Sequence, residues 1–432
     1  MRIPLLATAA LALCLPALAN AKDKPDPVRL KATVEKLVAF GTRNTLSSPT
    51  DPVRGIGAAR AWAADELDKL GEACGCMQVQ RIGRTFTGPR APNGVEVIDV
   101  LGVQWGRDPN RVVIVGAHID SRGTDTLDVT KDAPGANDNA SGVALVMEAA
   151  RLLSAEKFEA TIVYAVFSGE EQGLWGGQLL AETARDRGWE VSAMLNNDIV
   201  GNTIGQNGIR VAGRVRVFSE GIRASETIAE QLARRGNGGE DDGPSRALAK
   251  TIDAIAGDIP GGLDVFMDRR PDRFGRGGDH EPFLRLGYPA VRFSVGAENW
   301  TQQHQDIRSE GGIDYGDTVD KMDFPYLAKV TAINVAAIRR FASAPAAPKQ
   351  VTINGALSFD TAVKWAPVKG AAGYRVYWRR TDTDRWTDHK DVTEPGVTLV
   401  NTSIDDHLFA VAALAANGAE SLPVLAGPAP RP

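Results

Sequence analysis

Side chains of the kind that bind metals follow several apolar runs of this chain. His118 lies just beyond the run Val112–Val115, and Asp198 lies just beyond Ala193–Leu195. Ligands in an open parallel sheet gather at the carboxyl ends of its strands, so side chains that end separate strands meet at one edge. The residues expected to meet at that edge are His118, Asp138, Glu170, Glu171 and Asp198.

This set of side chains favours a catalytic zinc site. Carboxylates with imidazoles and without thiolates suit Zn²⁺ where water has access. Two zinc ions would bring four positive charges, against three negative ones from Asp138, Glu171 and Asp198. A site with that balance favours deprotonation of its own water. Glu170 directly precedes Glu171, so one is expected to bind metal while its neighbour takes the proton of the attacking water.

Asp120 lies two residues beyond His118, in the stretch GAHIDSRG of residues 116–123. At that distance its carboxylate is placed to hold the second imidazole nitrogen and to fix the tautomer of the ring. A turn-forming acid is the competing interpretation of Asp120.

The elements that must position these residues form an α/β pattern. The continuous apolar runs Val112–Val115, Thr161–Phe167, Ala193–Leu195 and Ala290–Val295 predict buried strands of a mostly parallel sheet. Helical patterns follow Ser141-Gly142 and Gly177, and Tyr326–Phe341 predicts a closing helix. Alternating strands and helices predict a three-layer sandwich with helices on both faces of the sheet.

Residues 236–277 are rich in Gly, Asp and Arg and show no clear periodicity. This composition predicts a long surface insertion near the site, although a solvated excursion without function is an equal alternative.

A Pro/Ala-rich hinge over residues 341–349 predicts a domain boundary. We therefore expect a catalytic domain over residues 22–345 and a small all-β sandwich over 346–432. Trp365, the strand that begins at Gly373-Tyr374, and Gly418–Pro423 resemble a fibronectin type III module. Such a module would bind an unidentified surface or polymer, or act as a spacer.

The first 21 residues read as a secretory signal. Arg2 precedes a short apolar run that Pro16 interrupts, and Ala19-Asn-Ala21 forms a small-x-small cleavage site. We expect an exported chain without a transmembrane segment after cleavage, in the periplasm or secreted. Cys74 and Cys76 then form either a local disulfide or a pair of inert thiols. A formal charge of −5 argues against nucleic acid as a partner.

Five motifs in order carry a family resemblance over residues 30–340: GAHIDS, NDNASG, FSGEEQGLWGG, NNDIVG and GGDHEPFLRLGYPAVRFS. They resemble the zinc-dependent aminopeptidases, a family that includes bacterial leucine aminopeptidases and, more distantly, glutaminyl cyclases. The resemblance implies an exopeptidase that removes N-terminal residues, most readily apolar ones, from peptides or proteins.

The resemblance also implies roles for individual residues. Asp138 would bridge two zinc ions. His118 and Asp198 would complete the shell of one ion, and Glu171 and His304 that of the other. The remaining roles are Glu170 as general base, Asp279 in the substrate pocket, and Trp300 and Phe274 as pocket walls. His280 would lie in the substrate pocket or behind the ligands, with a structural role as an equal alternative. Where the family often has an aromatic residue before the last histidine, this chain has Gln303.

Two other functions are open at this point. A glutaminyl cyclase shares the fold but uses one zinc ion and transfers an acyl group without water. A secreted binding protein with a retired peptidase domain is the second alternative. The full set of five ligands favours a two-metal hydrolase over the cyclase, and the intact Glu170-Glu171 pair argues against a retired site.

Overall fold

The computed structural model describes residues 24–429, so the predicted signal sequence lies outside the described residues. The helices are α1 (Pro27–Val38), α2 (Gly55–Cys74), α3 (Ser141–Leu153), α4 (Glu170–Gly173), α5 (Trp175–Asp186), α6 (Ile228–Asn237), α7 (Pro244–Gly257), α8 (Glu281–Arg285) and α9 (Phe324–Ser343).

The strands divide between the amino-terminal and carboxy-terminal parts of the chain. The first ten are β1 (Met77–Gly88), β2 (Ala91–Gln104), β3 (Asp108–His118), β4 (Ala160–Phe167), β5 (Glu190–Asn197), β6 (Arg214–Phe218), β7 (Asp264–Asp268), β8 (Ala290–Val295), β9 (Arg308–Glu310) and β10 (Ile313–Tyr315). The others are β11 (Thr352–Asn354), β12 (Thr361–Lys364), β13 (Gly373–Arg380), β14 (Asp388–Val392), β15 (Gly396–Leu399), β16 (His407–Leu414), β17 (Val424–Leu425) and β18 (Gly427–Pro428).

An eight-stranded sheet forms the centre of the larger part, in the order β1-β2-β4-β3-β5-β8-β6-β7. Its middle strands β4, β3, β5 and β8 run parallel, whereas β1, β2 and β6 join them through antiparallel pairings. The four parallel strands contain the four apolar runs that predicted them. The carboxyl ends of these four strands consequently lie at the same end of the sheet.

Helices cover both faces of this sheet, which confirms the predicted α/β sandwich. Along β3, Val113 and Val115 pack into the core under α1, α2, α3, α7 and α9. Val112 and Ile114 point the other way, into a second core with α5 and α8. Such alternation follows from the two-residue period of a strand. A strand that is apolar on both faces therefore reads as a continuous hydrophobic run.

The prediction that residues 236–277 form a surface insertion is wrong for nearly half of the segment, although the end of the segment does lie near the site, where Arg273 and Arg276 line a cavity. The segment contains α7 and β7, and β7 is the edge strand beside β6 in the central sheet. Leu248 and Ile252 of α7 lie in the main core. The helical period was hidden because alanines supply much of the apolar face and the polar residues Arg246 and Thr251 are also buried.

The C-terminal residues fold as two four-stranded sheets, β15-β12-β11-β18 and β14-β13-β16-β17, around Trp365, Tyr374 and Phe409. This is the predicted β-sandwich. It is docked on the larger part, since Leu422 packs into the main core and Arg340 contacts Glu420 at 3.1 Å. The separate folding of residues 22–345 stays a prediction.

Two smaller features bear on the expectations from the sequence. Cys74 and Cys76 form a local disulfide, the first of the two alternatives. No helix within residues 24–429 is both long and apolar enough to cross a membrane.

Candidate metal centre and active site

His118 is the last residue of β3 and is fully buried. Its Nδ1 lies 3.0 Å from the backbone oxygen of Asp120. Because a carbonyl oxygen can only accept, Nδ1 carries the N–H that donates to it, and Nε2 keeps its lone pair for a ligand. Nε2 lies 3.3 Å from Oδ1 of Asp138 and 3.8 Å from Oδ1 of Asp198.

Asp138 lies in the tight turn Ala136–Ala140 that leads into α3. Its own backbone N–H and that of Asn137 donate to the carboxylate of Asp317, at 2.7 Å and 2.9 Å. Asn139 ties the turn to the end of β5, because its side-chain amide donates to the carbonyl oxygen of Asn197 at 2.8 Å. Anchored in this way, the Asp138 carboxylate is held between the ends of β3 and β5.

Asp198 directly follows β5 and has a buried cationic partner. Nη2 of Arg292, on β8, lies 3.0 Å from Oδ1 of Asp198, and Nη1 of the same guanidinium donates to Asp272 at 2.9 Å. Arg292 is fully buried, so it is paired with carboxylates on two sides. The pair fixes the orientation of the Asp198 carboxylate.

Glu171 and His304 form the other half of the site. Nε2 of His304 lies 3.1 Å from both Oε1 of Glu171 and Oδ2 of Asp138. Arg122 lies on the far side of both groups: its Nε donates to Oε2 of Glu171 at 2.9 Å, and its Nη2 lies 2.7 Å from Nδ1 of His304. The His304 backbone has φ of +53°, a left-handed conformation that costs free energy for a non-glycine residue and is typical of functional sites.

Two groups of ligand atoms thus share one carboxylate. The first is His118, Asp138 and Asp198, the second is Asp138, Glu171 and His304, and the ligand atoms of each group lie within 4.8 Å of one another. Nε2 of His118 and Oε1 of Glu171 are buried without a hydrogen-bond partner among the described residues. Leaving such atoms unpaired costs free energy. Two histidines with three carboxylates match the ligands that zinc accepts, so the residues present fit a pair of zinc ions.

The Asp120 carboxylate has a different role from the one predicted. It lies 3.6 Å from Nδ1 of His118, beyond hydrogen-bonding distance. It accepts instead from the backbone N–H of Glu171 at 3.1 Å, from that of Glu170 at 3.4 Å, and from the hydroxyl of Thr45 at 3.0 Å. The imidazole is oriented by the backbone oxygen of Asp120, and the side chain fixes the first turn of α4.

The acids and imidazoles of the site shift one another's pKa in the metal-free chain. Burial raises the pKa of Glu170 well above its usual range, and the negative charges of Asp198 and Glu171 raise it further. Burial lowers the pKa of His304, but the carboxylates of Glu171 and Asp138 outweigh burial and raise it to about 10. Neighbouring acids likewise raise the pKa of His118 despite its burial.

A cavity of about 510 Å³ opens beside these groups. Glu170 lines it but belongs to neither group of ligand atoms. Glu170 therefore lies at the cavity wall outside both groups of candidate ligands. The residues of the site that line the cavity are Asp138, Glu170, Glu171, Asp198 and His304.

The four residues expected around the substrate do not line this cavity. Asp279 is fully buried, accepts from the backbone N–H of Gly177 at 3.0 Å, and has a pKa that burial raises to about 7. His280 is also fully buried, with Nε2 2.7 Å from the carbonyl oxygen of Pro271. Trp300 and Phe274 are 61% and 91% exposed, and neither is among the residues that line the cavity.

Comparison with known proteins identifies the family. The model of Peptidase family M28 matches residues 99–334, more than half of the chain. A probable zinc metalloprotease of Pyrenophora teres f. teres is 40% identical over 416 residues, which are 94% of this chain and 86% of the relative. The chain belongs to peptidase family M28.

A second relative extends the match beyond the catalytic part of this M28 peptidase. A probable zinc metalloprotease of Pyricularia oryzae is 41% identical over 408 residues, covering 92% of this chain and 81% of the relative. Residues 1–345 make up only about four fifths of the sequence, so both matches include part of the β-sandwich.

Solved structures share the fold at low sequence identity. An aminopeptidase from Aneurinibacillus sp. strain AM-1 superposes with a TM-score of 0.53 at 16% identity, covering 74% of this chain and 95% of that one. A glutaminyl cyclase from Fimbriiglobus ruber gives a TM-score of 0.51 at 18% identity, over 73% of this chain and 95% of that one. Both similarities are at the level of the fold.

The sequence did not indicate the two arginines beside the candidate metal ligands of this M28 peptidase, Arg122 and Arg292. Arg292 interrupts the apolar run Ala290–Val295, and a charged residue inside a buried strand signals a buried partner of opposite charge. Arg122 lies four residues after His118 in GAHIDSRG. Its contacts depend on Glu171 and His304, which are distant in sequence, and no local pattern reveals them.

Proposed function

We propose that this M28 peptidase is an exported aminopeptidase that hydrolyses N-terminal residues from peptides with two zinc ions. The single observation that carries the proposal is the pair of ligand groups sharing Asp138, with Glu170 beside them on the cavity wall. Relatives described as probable zinc metalloproteases support zinc as the metal. The predicted signal sequence of residues 1–21 supports export.

The residues that would hold the ions are His118, Asp138 and Asp198 for one and Asp138, Glu171 and His304 for the other. Bound there, zinc would polarise the scissile carbonyl and lower the pKa of the attacking water. Arg122 and Arg292 keep the outer carboxylate oxygens of Glu171 and Asp198 in place. Fixed ligands reduce the reorganisation that accompanies the reaction.

Glu170 would act as the general base. Its carboxylate lines the cavity, and the N–H contact with Asp120 sets the position of its backbone. It would take a proton from the attacking water and return it to the leaving amine. Glu170 and Asp198 both line the cavity and are the candidates for recognising the free N-terminal amine.

The second ligand group distinguishes this proposal from a single-zinc cyclase. Nε2 of His304 lies 3.1 Å from Oε1 of Glu171 and from Oδ2 of Asp138, which supports a second group of ligands beside the first. A cyclase that needs one ion has no use for that arrangement. Metal stoichiometry, together with a test for cyclised N-terminal glutamine, separates the two functions.

The test is a panel of amino-acid anilides assayed with the full-length mature chain. Turnover should appear with zinc, disappear with a chelator, and return on addition of zinc. N-acetylated anilides are the matched controls, because they lack the free amine and should not be cleaved. Equal cleavage of acetylated and free substrates would rule out an aminopeptidase, and turnover that survives complete removal of metal would rule out a metallopeptidase.

A further inference from the structure

The cavity beside the metal centre is lined mainly by polar groups. Among its lining residues only Leu174 and Ile199 carry large apolar side chains. Apolar N-terminal residues, the expectation from the family resemblance, would find little apolar surface there. The charged groups in the lining are four arginines, Arg90, Arg122, Arg273 and Arg276, and five acids, Asp138, Glu170, Glu171, Asp198 and Glu281.

Two of these arginines have donors left over for a ligand. Arg90 donates through Nη1 to the carbonyl oxygen of Glu171 at 2.6 Å, and its other nitrogens bond to none of the residues described. Arg276 is held by Glu298 at 2.7 Å and by Oε1 of Gln303 at 3.2 Å, while its Nε bonds to none of the residues described. Both guanidinium groups are therefore fixed beside the Glu171 and His304 end of the site.

The charge balance points the same way. The lining holds five carboxylates against four guanidinium groups. Glu298 pairs with Arg273 and Arg276 behind the lining and adds a sixth carboxylate. The two divalent cations of the proposed function would turn the resulting excess of two negative charges into a net charge of two positive units. Low-dielectric walls make such a field stronger than it would be in water. A cavity with this field attracts an anion.

From the free arginine donors and this charge balance we propose that the cavity binds a carboxylate group of the substrate. The inference rests on the proposed two-zinc aminopeptidase function. The carboxylate has two possible sources, the side chain of an N-terminal Glu or Asp and the C-terminus of a short peptide. Planar guanidinium groups suit either source, because they bind carboxylates with good geometry.

Two pairs of matched substrates test the proposal with the zinc-loaded full-length protein. Glutamyl anilide and glutaminyl anilide differ only in the side-chain charge. Leucyl-leucine and its C-terminal amide differ only in the terminal charge. The charged member of at least one pair should have a kcat/KM higher by about tenfold or more, as expected for a hydrogen bond to a charged group. The preference should weaken at high salt.

Variants of Arg90 and Arg276 test whether these two side chains bind the substrate carboxylate. Arg90→Ala and Arg276→Ala should each lower the ratio of kcat/KM within the preferred pair by about tenfold. Lysine at either position should restore part of the ratio, because it keeps the charge and loses the planar geometry. Arg107→Ala is the matched control. Arg107 lies just before β3, at the amino ends of the parallel strands and therefore at the opposite end of the sheet from the candidate metal centre. Its side chain is 78% exposed and pairs with Glu159.

The melting temperature of the protein reports carboxylate binding without any need for turnover. Succinate should raise the melting temperature of the zinc-loaded protein more than succinamide does, because only succinate carries carboxylates. The difference should shrink in Arg276→Ala and persist in Arg107→Ala. That comparison separates binding at the arginines from binding at the metal, which both variants retain.

The outcomes distinguish failure of the carboxylate site from failure of the aminopeptidase function on which it rests. A preference for glutamyl anilide supports a side-chain carboxylate, and a preference for leucyl-leucine supports a C-terminal one. Equal rates within both pairs, with turnover present, overturn the carboxylate site and leave the aminopeptidase standing. Absence of turnover on every substrate with a free amine overturns the proposed function and this inference with it.

Discussion

The Asp120 carboxylate accepts the backbone N–H of Glu171 at 3.1 Å. Through this bond Asp120, two residues beyond His118, fixes the turn after β4 that carries Glu170 and Glu171. Asp120 is fully buried and also accepts from Thr45 at 3.0 Å. Its carboxylate therefore positions Glu170 and Glu171, whereas its backbone oxygen orients His118.

Asp120→Asn should lower kcat by about tenfold and leave zinc content nearly unchanged. The amide keeps one acceptor oxygen, but it replaces the other with a donor that faces backbone N–H groups, so the turn before Glu171 must shift. Shifts well below 1 Å in catalytic geometry already reduce rates. Zinc per chain and anilide turnover should be measured in the same preparation. Loss of zinc with unchanged turnover per bound zinc would show that Asp120 acts through His118.

Glu170→Gln and Glu171→Gln should separate the two roles of this pair. In Glu170→Gln both ligand groups are intact, so zinc should stay while turnover falls by a factor on the order of 10²–10⁴. Glu171→Gln weakens one group, so zinc content should fall and excess zinc should partly restore activity. If Glu170→Gln loses metal and Glu171→Gln retains it, the two roles are reversed.

Much of the site follows from the sequence because its ligands stand at strand ends. Apolar runs identify β3, β4 and β5, and the position just beyond each run places His118, Glu171 and Asp198 at one sheet edge. His304 lies nine residues after β8, and only the family resemblance indicated it. The structure brings it within 3.1 Å of Asp138.

What the sequence did not reveal depends on contacts between distant segments. The guanidinium of Arg43, for example, is fully buried and donates to the carbonyl oxygens of Ile119 and Pro134 at 2.7 Å and 2.6 Å. Nothing in the sequence near Arg43 indicates this role. The cationic lining of the cavity was missed for the same reason, because Arg90 and Arg276 come from separate loops.

Arg43→Met should destabilise the fold by about 3–5 kcal/mol, because each buried carbonyl left without a donor costs about 1–3 kcal/mol. Methionine fills similar space but leaves the carbonyl oxygens of Ile119 and Pro134 without a donor. The carbonyl oxygens of Leu37 and Gly135 lose one of their two donors. Urea unfolding of the metal-free protein measures the change. Arg29→Met is the control, since Arg29 is 60% exposed and should change the free energy of unfolding by no more than about 1 kcal/mol. Equal effects in both variants would refute the role assigned to Arg43.

Zinc loading should release protons and should weaken as the pH falls. The pKa of His304 in the metal-free chain is raised to about 10, so its imidazole is protonated at neutral pH. Zinc requires the neutral ring, and binding must therefore displace that proton. Calorimetry near pH 7 in two buffers of different ionisation enthalpy should show at least one proton released per loaded chain. A His304→Ala variant should release fewer, and identical heats in both buffers would contradict this electrostatic picture.

The central claim is that five side chains hold two zinc ions around a shared Asp138. Anomalous diffraction at the zinc edge, from crystals of the zinc-loaded protein, tests it most directly. The account predicts two peaks, one among His118, Asp138 and Asp198 and the other among Asp138, Glu171 and His304. A single peak, or peaks at other residues, would contradict it.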